Sequence, residues 1–90
     1  MRKSDLVSMV ADKTELDSKI ADKAVTALFE SIQEALVAGD RVQVIGFGTF
    51  EIKERAAHQG RNPSTGAVID IAASRSPVFK AGKTLRDAVK

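Results

Sequence analysis

Lys53, Arg55, Arg61 and Arg75, with His58 among them, lie in a stretch, 53–76, that has little to bury. Its middle, AAHQGRNPSTGAVID (residues 56–70), holds two glycines, a proline, an asparagine and two hydroxyl residues. Guanidinium and ammonium groups in such a setting hold anions by charge; nothing beside them could break a bond. The chain has one histidine and no cysteine, which excludes disulfides, thiolate metal sites and a cysteine nucleophile and fits a reducing compartment. Neither a helical HExxH nor a Walker sequence occurs, and the glycines of Gly46-Phe47-Gly48 open no helix, so they make no nucleotide site. Asp12, Glu15, Asp17 and Asp22 cluster in sequence, but acids at helix starts serve as caps and dipole partners. No catalytic residue, metal ligand or cofactor is expected.

Charge is divided along the chain. Residues 1–40 carry five basic groups against eight acidic ones, and residues 41–90 carry nine against four, for a net +2. That asymmetry points to a polyanionic partner for the second half. Ninety residues allow one domain, 1–90, with a globular 43% of hydrophobic residues. The opening MRKSDLVSMVADK is interrupted by Ser8 and Asp12, so it makes a poor signal peptide, and no run approaches transmembrane length. A soluble, cytoplasmic protein is the expectation.

The elements that must position these cations follow from hydrophobic spacing. Leu6, Val7, Val10 and Ala11 predict a helix over residues 3–13. A second begins at an Asp17 N-cap, with Leu16 able to staple onto Ala21. It runs through Ile20, Ala24, Val25, Leu28, Ile32, Ala35 and Leu36 to a stop at Gly39. The period then changes to two: RVQVI and TFEIKER alternate Val42, Val44, Phe50 and Ile52 against polar residues, with GFG as the turn between them. Phe47 in that turn reads as a plug in a core or interface. Strand character resumes in AVIDIAASRSPVF after a turn at Asn62-Pro63-Ser64-Thr65-Gly66, and KAGKTLRDAVK reads as a short C-terminal helix. The fold class is α+β: a helical dimerisation hairpin (1–40), then a three-stranded antiparallel sheet, an arm (about 53–76) and the last helix within 41–90.

Without the arm, 66 residues remain to make a core with no disulfide or metal to help. The economical solution is an intertwined homodimer whose half-cores merge through Phe29, Phe47, Phe50, Phe79, Leu28, Ile32, Leu36 and Val44. From it project two ribbons too polar to pack alone, which make sense if they order on an anionic surface and embrace a duplex. Lys53 and Arg55 alternate onto one face. Pro63 either fixes the turn or enters between base pairs from the minor groove as an apolar wedge. A strand-exchange arm used only for dimerisation is the weaker alternative, because the stretch is polar.

The runs GFGTFEIKERAAHQGRNPSTG, PVFKAGKTLRDAVK and KSDLV…ADK resemble the bacterial histone-like HU proteins, relatives of integration host factor, over the whole chain. The resemblance implies a homodimer with two β-ribbon arms that bind and bend double-stranded DNA with little sequence preference, in the bacterial nucleoid. It implies that Arg55, Arg61 and Pro63 are arm contacts, Pro63 intercalating, with Asn62 and Gly60 in the same tip motif. Lys53 stands where many relatives have Arg, and His58 where Arg is common, a loss of charge that makes arm affinity weakly pH-sensitive. Lys3, Lys80, Lys83 and Arg86 are candidate DNA contacts on the body. A sequence-selective heterodimer of the integration host factor type and a module gripping an acidic protein are the rival readings. Binding to RNA stays open.

Overall fold

The helical spacing of the first forty residues becomes an αα-hairpin, α1 over Lys3–Thr14 and α2 over Ser18–Val37, in a computed structural model that describes residues 1–90. Each end has a local cause. Asp5 Oδ2 accepts the Arg2 N–H at 2.7 Å in front of α1, and Glu15 in the left-handed region (φ 57°) closes it. Asp17 is the N-cap of α2, its carboxylate accepting the Lys19 N–H at 3.0 Å, as its position predicts. Gly39, at φ 88°, ends α2: its N–H reaches the Leu36 carbonyl at 3.0 Å and the Asp40 N–H reaches Ala35 at 2.9 Å. Those two bonds are a Schellman motif, which the positive φ of glycine makes cheap.

The hairpin closes on small side chains. Val7, Ala11, Ala21 and Val25 are buried and Val10 packs against them. Alanine at the contact lets the helices approach closely, but so small a cluster contributes little burial.

The sheet follows from the period-two pattern. Strand β1 (Val42–Val44) turns through Ile45-Gly46-Phe47, with Gly46 at φ 83° and the Phe47 N–H on the Val44 carbonyl at 3.0 Å, into β2 (Gly48–Arg55). Strands β3 (His58–Arg61) and β4 (Val68–Ile71) form the outer ribbon, and β5 (Ser74–Ala81) returns beside β2. The order is β1-β2-β5, all antiparallel, with Phe50 opposite Phe79 and Val42 opposite Phe50. Helix α3 covers Lys83–Ala88. The C-terminal helix thus begins later than the sequence pattern suggests. Lys80 and Ala81 complete β5 against Thr49 and Gly48, and the Gly82 N–H on the Phe47 carbonyl at 2.8 Å keeps the chain extended until Lys83. No helix is long and apolar enough to cross a membrane.

Strict alternation gives the sheet two unlike faces. Val42, Val44, Phe50, Ile52, Pro77 and Phe79 share one, and their aromatic rings touch: Phe50–Phe79 centroids lie 4.7 Å apart and Phe47–Phe79 5.4 Å. Yet Phe29, Phe47 and Phe79 remain 47%, 45% and 40% exposed in the single chain, and Leu28 and Val44 are exposed as well. Phe29, Ile32 and Leu36 of α2 and Phe50, Ile52 and Pro77 of the sheet line an open apolar groove of about 550 Å³. In the single chain this groove stands open to solvent, an apolar patch of the kind that marks an interaction surface. The radius of gyration is 19.0 Å, against about 12 Å for a compact chain of this length, because the outer ribbon stretches the molecule to 60 Å.

Gly48 is the tightest point of this face. A Cβ there would lie 2.5 Å from the Phe79 ring and 2.6 Å from the Lys80 carbonyl oxygen, which is fixed in the β2–β5 ladder. Gly48→Ala is expected to destabilise the protein by roughly 1–3 kcal/mol, as overpacking does. Urea unfolding at one fixed protein concentration measures it, and an unchanged midpoint would contradict the packing described.

Candidate nucleic-acid interface

The opposite face of the sheet is charged. Thr49, Glu51, Lys53 and Arg55 alternate onto it from β2, and their β5 partners are Lys80, Val78, Ser76 and Ser74. Lys53 faces Ser76 and Arg55 faces Ser74, so small hydroxyl residues leave both long cations uncovered and exposed. At the root of this face Glu51 accepts from Lys80 Nζ at 2.7 Å and lies 4.0 Å from Arg41 Nε. The Lys80 hydrogen bond, then the charges of Lys80 and Arg41, hold the Glu51 carboxyl below its ordinary range against the opposing effect of desolvation. One acid therefore draws Arg41 and Lys80 onto the side of the sheet that bears Lys53 and Arg55.

Arg41 is absent from the residues singled out above, although the alternation of RVQVI already sets it opposite Val42 and Val44. Arg75 was singled out, and it lies on the other side of the ribbon from Lys53 and Arg55, 3.4 Å from its cross-strand partner Glu54. Lys80 also enters paired, to Glu51.

Beyond Arg55 the ladder stops and restarts. Ala56-Ala57 and Ala72-Ala73 separate β2–β5 from β3–β4, so the outer ribbon is a sheet of its own. There His58 pairs with Ile71, Gln59 with Asp70, Gly60 with Ile69 and Arg61 with Val68. His58 Nδ1 lies 3.2 Å from the Ala56 carbonyl, and Gln59 Nε2 donates to Asp70 at 3.4 Å. A Cβ on Gly60 would meet only the end of the exposed Ile71 side chain, Cδ1 at 2.9 Å, which can swing aside. The ribbon closes with the Asn62 N–H on the Ala67 carbonyl at 2.8 Å, which leaves Pro63 exposed at the far end of a molecule 60 Å long.

The remaining candidates stand elsewhere. Lys3 is in the first turn of α1 and donates to Thr26 Oγ1 of α2 at 2.8 Å. Lys83 and Arg86 are exposed on α3 with no ion-pair partner. The structure thus groups Arg41, Lys53, Arg55 and Lys80 on one sheet face and Arg61, Asn62 and Pro63 at the tip. It keeps Lys3, Lys83 and Arg86 on separate elements.

A helical body, a sheet with one apolar and one cationic face, and a protruding ribbon are the parts of a β-arm DNA-binding protein. Comparison with known proteins agrees over the full length. Residues 1–90 match the family model described as bacterial DNA-binding protein. The DNA-binding protein HU of Staphylococcus aureus is 59% identical over 90 residues, all of both chains, and that of Streptococcus thermophilus 61% over 88 residues, 98% of this chain and 97% of the other. Among solved structures, an Anabaena HU–DNA cocrystal superposes with a TM-score of 0.84 at 47% identity, covering 99% of this chain and 97% of that one. HU from Thermotoga maritima gives 0.70 at 31% identity with both chains fully covered. The chain belongs to the bacterial HU family of DNA-binding proteins.

Glu51 gives the charged face a pH dependence of definite sign. Its carboxyl titrates below the ordinary 4.5, so the stability from its pairs is whole above that pH and is lost as pH falls through the lower, folded value. Glu51→Gln should abolish this part of the acid response. The stability difference between wild type and variant, followed by urea midpoints from neutral pH downward, is expected to shrink only below about 4.5; a difference constant with pH would rule out the assignment.

Proposed function

We propose that the chain works as a homodimer that binds double-stranded DNA with little sequence preference, lays its two ribbons in the minor groove, and bends the duplex. It acts without catalysis, as an architectural component of the bacterial nucleoid in the cytoplasm. The observation that carries this reading is the cationic ribbon ending in an exposed Pro63, projecting from a body whose own apolar face demands a second copy. Residues 1–40 serve mainly as the dimerisation hairpin and residues 41–90 supply the sheet, the arm (about 53–76) and α3.

The physical sequence is short. Lys53 and Arg55, with Arg61 further out, replace condensed counterions on the phosphates, which drives binding entropically and makes it salt-dependent. Pro63, rigid and without an N–H, is shaped to enter a base step; unstacking costs about a few kcal/mol per step in minor-groove binders, a class of which HU is itself a standard member. Phosphate contacts that only a bent duplex can reach offset that cost. Lys80, Arg41, Lys83, Arg86 and Lys3 then meet DNA on the body. Arg75, paired with Glu54, supports the arm from its other face, and His58 adds less to phosphate attraction than an arginine would. Because minor-groove edges carry a degenerate pattern, discrimination follows how easily DNA deforms.

Four measurements test this. A salt titration on one random-sequence duplex, intact and nicked, should give tighter binding to the nicked form and log affinity falling steeply with log salt; no binding at low salt would overturn the proposal. A parallel titration with double-stranded RNA separates DNA selectivity from attraction to any polyanion. Arg55→Ala, which changes both arms of the dimer, should flatten the salt slope by roughly two, at about 0.9 per phosphate contact. Pro63→Ala should reduce ring closure of short DNA more than it reduces affinity, and unchanged ring closure would remove the wedge while leaving phosphate binding intact.

A further inference from the structure

The six residues at the tip of the arm, Asn62 to Ala67, are more tightly bonded than a polar surface loop requires. Asn62 alone uses three of its groups. Its N–H donates to the Ala67 carbonyl at 2.8 Å, its carbonyl accepts from the Gly66 N–H at 2.7 Å, and its side-chain Oδ1 accepts from the Ser64 N–H at 2.8 Å. Thr65 Oγ1 accepts the Ala67 N–H at 3.3 Å, Arg61 Nη1 donates to the Gly66 carbonyl at 3.3 Å, and Gly66 takes φ 73° to let the chain return. Asn62 is half-buried in a tip whose other members are exposed.

The Asn62–Ser64 bond is an Asx turn with Pro63 at its centre. The pyrrolidine ring sets φ of Pro63, and a preceding residue is itself driven to extended backbone by the ring. What remains to be fixed is ψ of Asn62, the torsion that decides which way the ring points relative to β3, and ψ of Pro63, which decides how the chain turns back toward β4. The Asn62 Oδ1–Ser64 N–H bond closes a ring of atoms that spans both torsions and so restrains both, while the Asn62 main chain ties the turn to the last rung of the ladder. We infer that Asn62 is a positioning residue for the DNA-bending step, aiming the Pro63 ring before DNA is met. The role rests on the reading of Pro63 as the wedge. Asn62 need touch no base or phosphate to fill it, and a loop frozen in advance surrenders less freedom on binding.

The test compares Asn62→Ala, Asn62→Asp, Pro63→Ala and the Asn62→Ala/Pro63→Ala double variant as full-length dimers. Readouts are ring closure of short DNA, affinity for a nicked duplex, and exchange of the Ser64 amide by NMR in the free protein. Asn62→Ala should lower ring closure about fivefold, the loss of one ordinary hydrogen bond, with affinity for nicked DNA changed far less and Ser64 exchanging faster. Asn62→Asp keeps an acceptor in place, so it should retain slow Ser64 exchange while its added negative charge weakens affinity. The double variant should close rings no worse than Pro63→Ala alone, because an aimed wedge and an absent one cannot add. Wild-type ring closure by Asn62→Ala, a Ser64 amide unprotected in the wild type, or full additivity in the double variant would each overturn the positioning role. Wild-type ring closure by Pro63→Ala would overturn the wedge itself, and the positioning role with it.

Discussion

Everything in this molecule depends on one deficit: a single chain cannot cover its own apolar sheet face. Four apolar residues are buried, all of them small and all within the helical hairpin, while the phenylalanines around Phe79 stay half open. Burial stabilises by about 25 cal/mol per Å² of apolar surface, so leaving three aromatic rings and the α2 stripe in water forfeits most of what ninety residues can gather. A second copy of the chain supplies the missing surface, and symmetry then fixes a pair of arms. The bivalent grip on a duplex is a by-product of incomplete folding by the monomer.

The same alternation that makes the apolar face makes the binding face. Phe50 and Ile52 point one way only because Glu51 and Lys53 point the other, so a one-residue slip of β2 would expose the core and bury the cations together. Glu51 is the odd member of the charged side. It pairs with Lys80 and lies 4.0 Å from Arg41, so under the proposed function DNA would meet these two cations in competition with a carboxylate. Lys53 and Arg55, opposite serines, have no such competitor. On that proposal the arm cations are open to phosphate at once, and the root of the sheet would engage against a resident anion.

The elements were legible in the residues because each had a local cause. Asp17 and Gly39 bound α2, the period-two runs RVQVI and TFEIKER became β1 and β2, and the Asn62–Gly66 turn chemistry became the ribbon's end. The clustering of phenylalanines followed from strand register alone. The pieces that stayed hidden depend on contacts between segments distant in sequence. Nothing in KAGKTLRDAVK says that Lys80 and Ala81 belong to a strand, since their ladder partners are Thr49 and Gly48. Arg75 looks like any other arm cation until register sets it beside Glu54, whereas the side on which Arg41 stands is already set by the alternation of RVQVI and only its pairing with Glu51 is hidden. The break at Ala72-Ala73 falls inside AVIDIAASRSPVF, which reads in sequence as one strand, because alanine neither forbids extension nor supplies side chains that would enforce it.

That break bears on how an arm too polar to fold alone can still deliver a wedge. Four small residues divide the ribbon into a stem anchored in the sheet and a tip closed by its own hydrogen bonds. The ladder is interrupted at the alanines, whose methyl groups supply little cross-strand packing to stiffen the join between stem and tip. A wedge on an adaptable stem aims well only if the tip holds its own shape, and the bonds of Asn62, Thr65 and Arg61 provide that locally. On the proposed reading of Pro63 as a wedge, adaptability in the stem would suit a binder that must accept many sequences, and rigidity in the six tip residues would let each encounter end in the same insertion. The two properties are compatible because alanine's lack of side-chain contacts and asparagine's surplus of hydrogen bonds fall on different parts of one short ribbon.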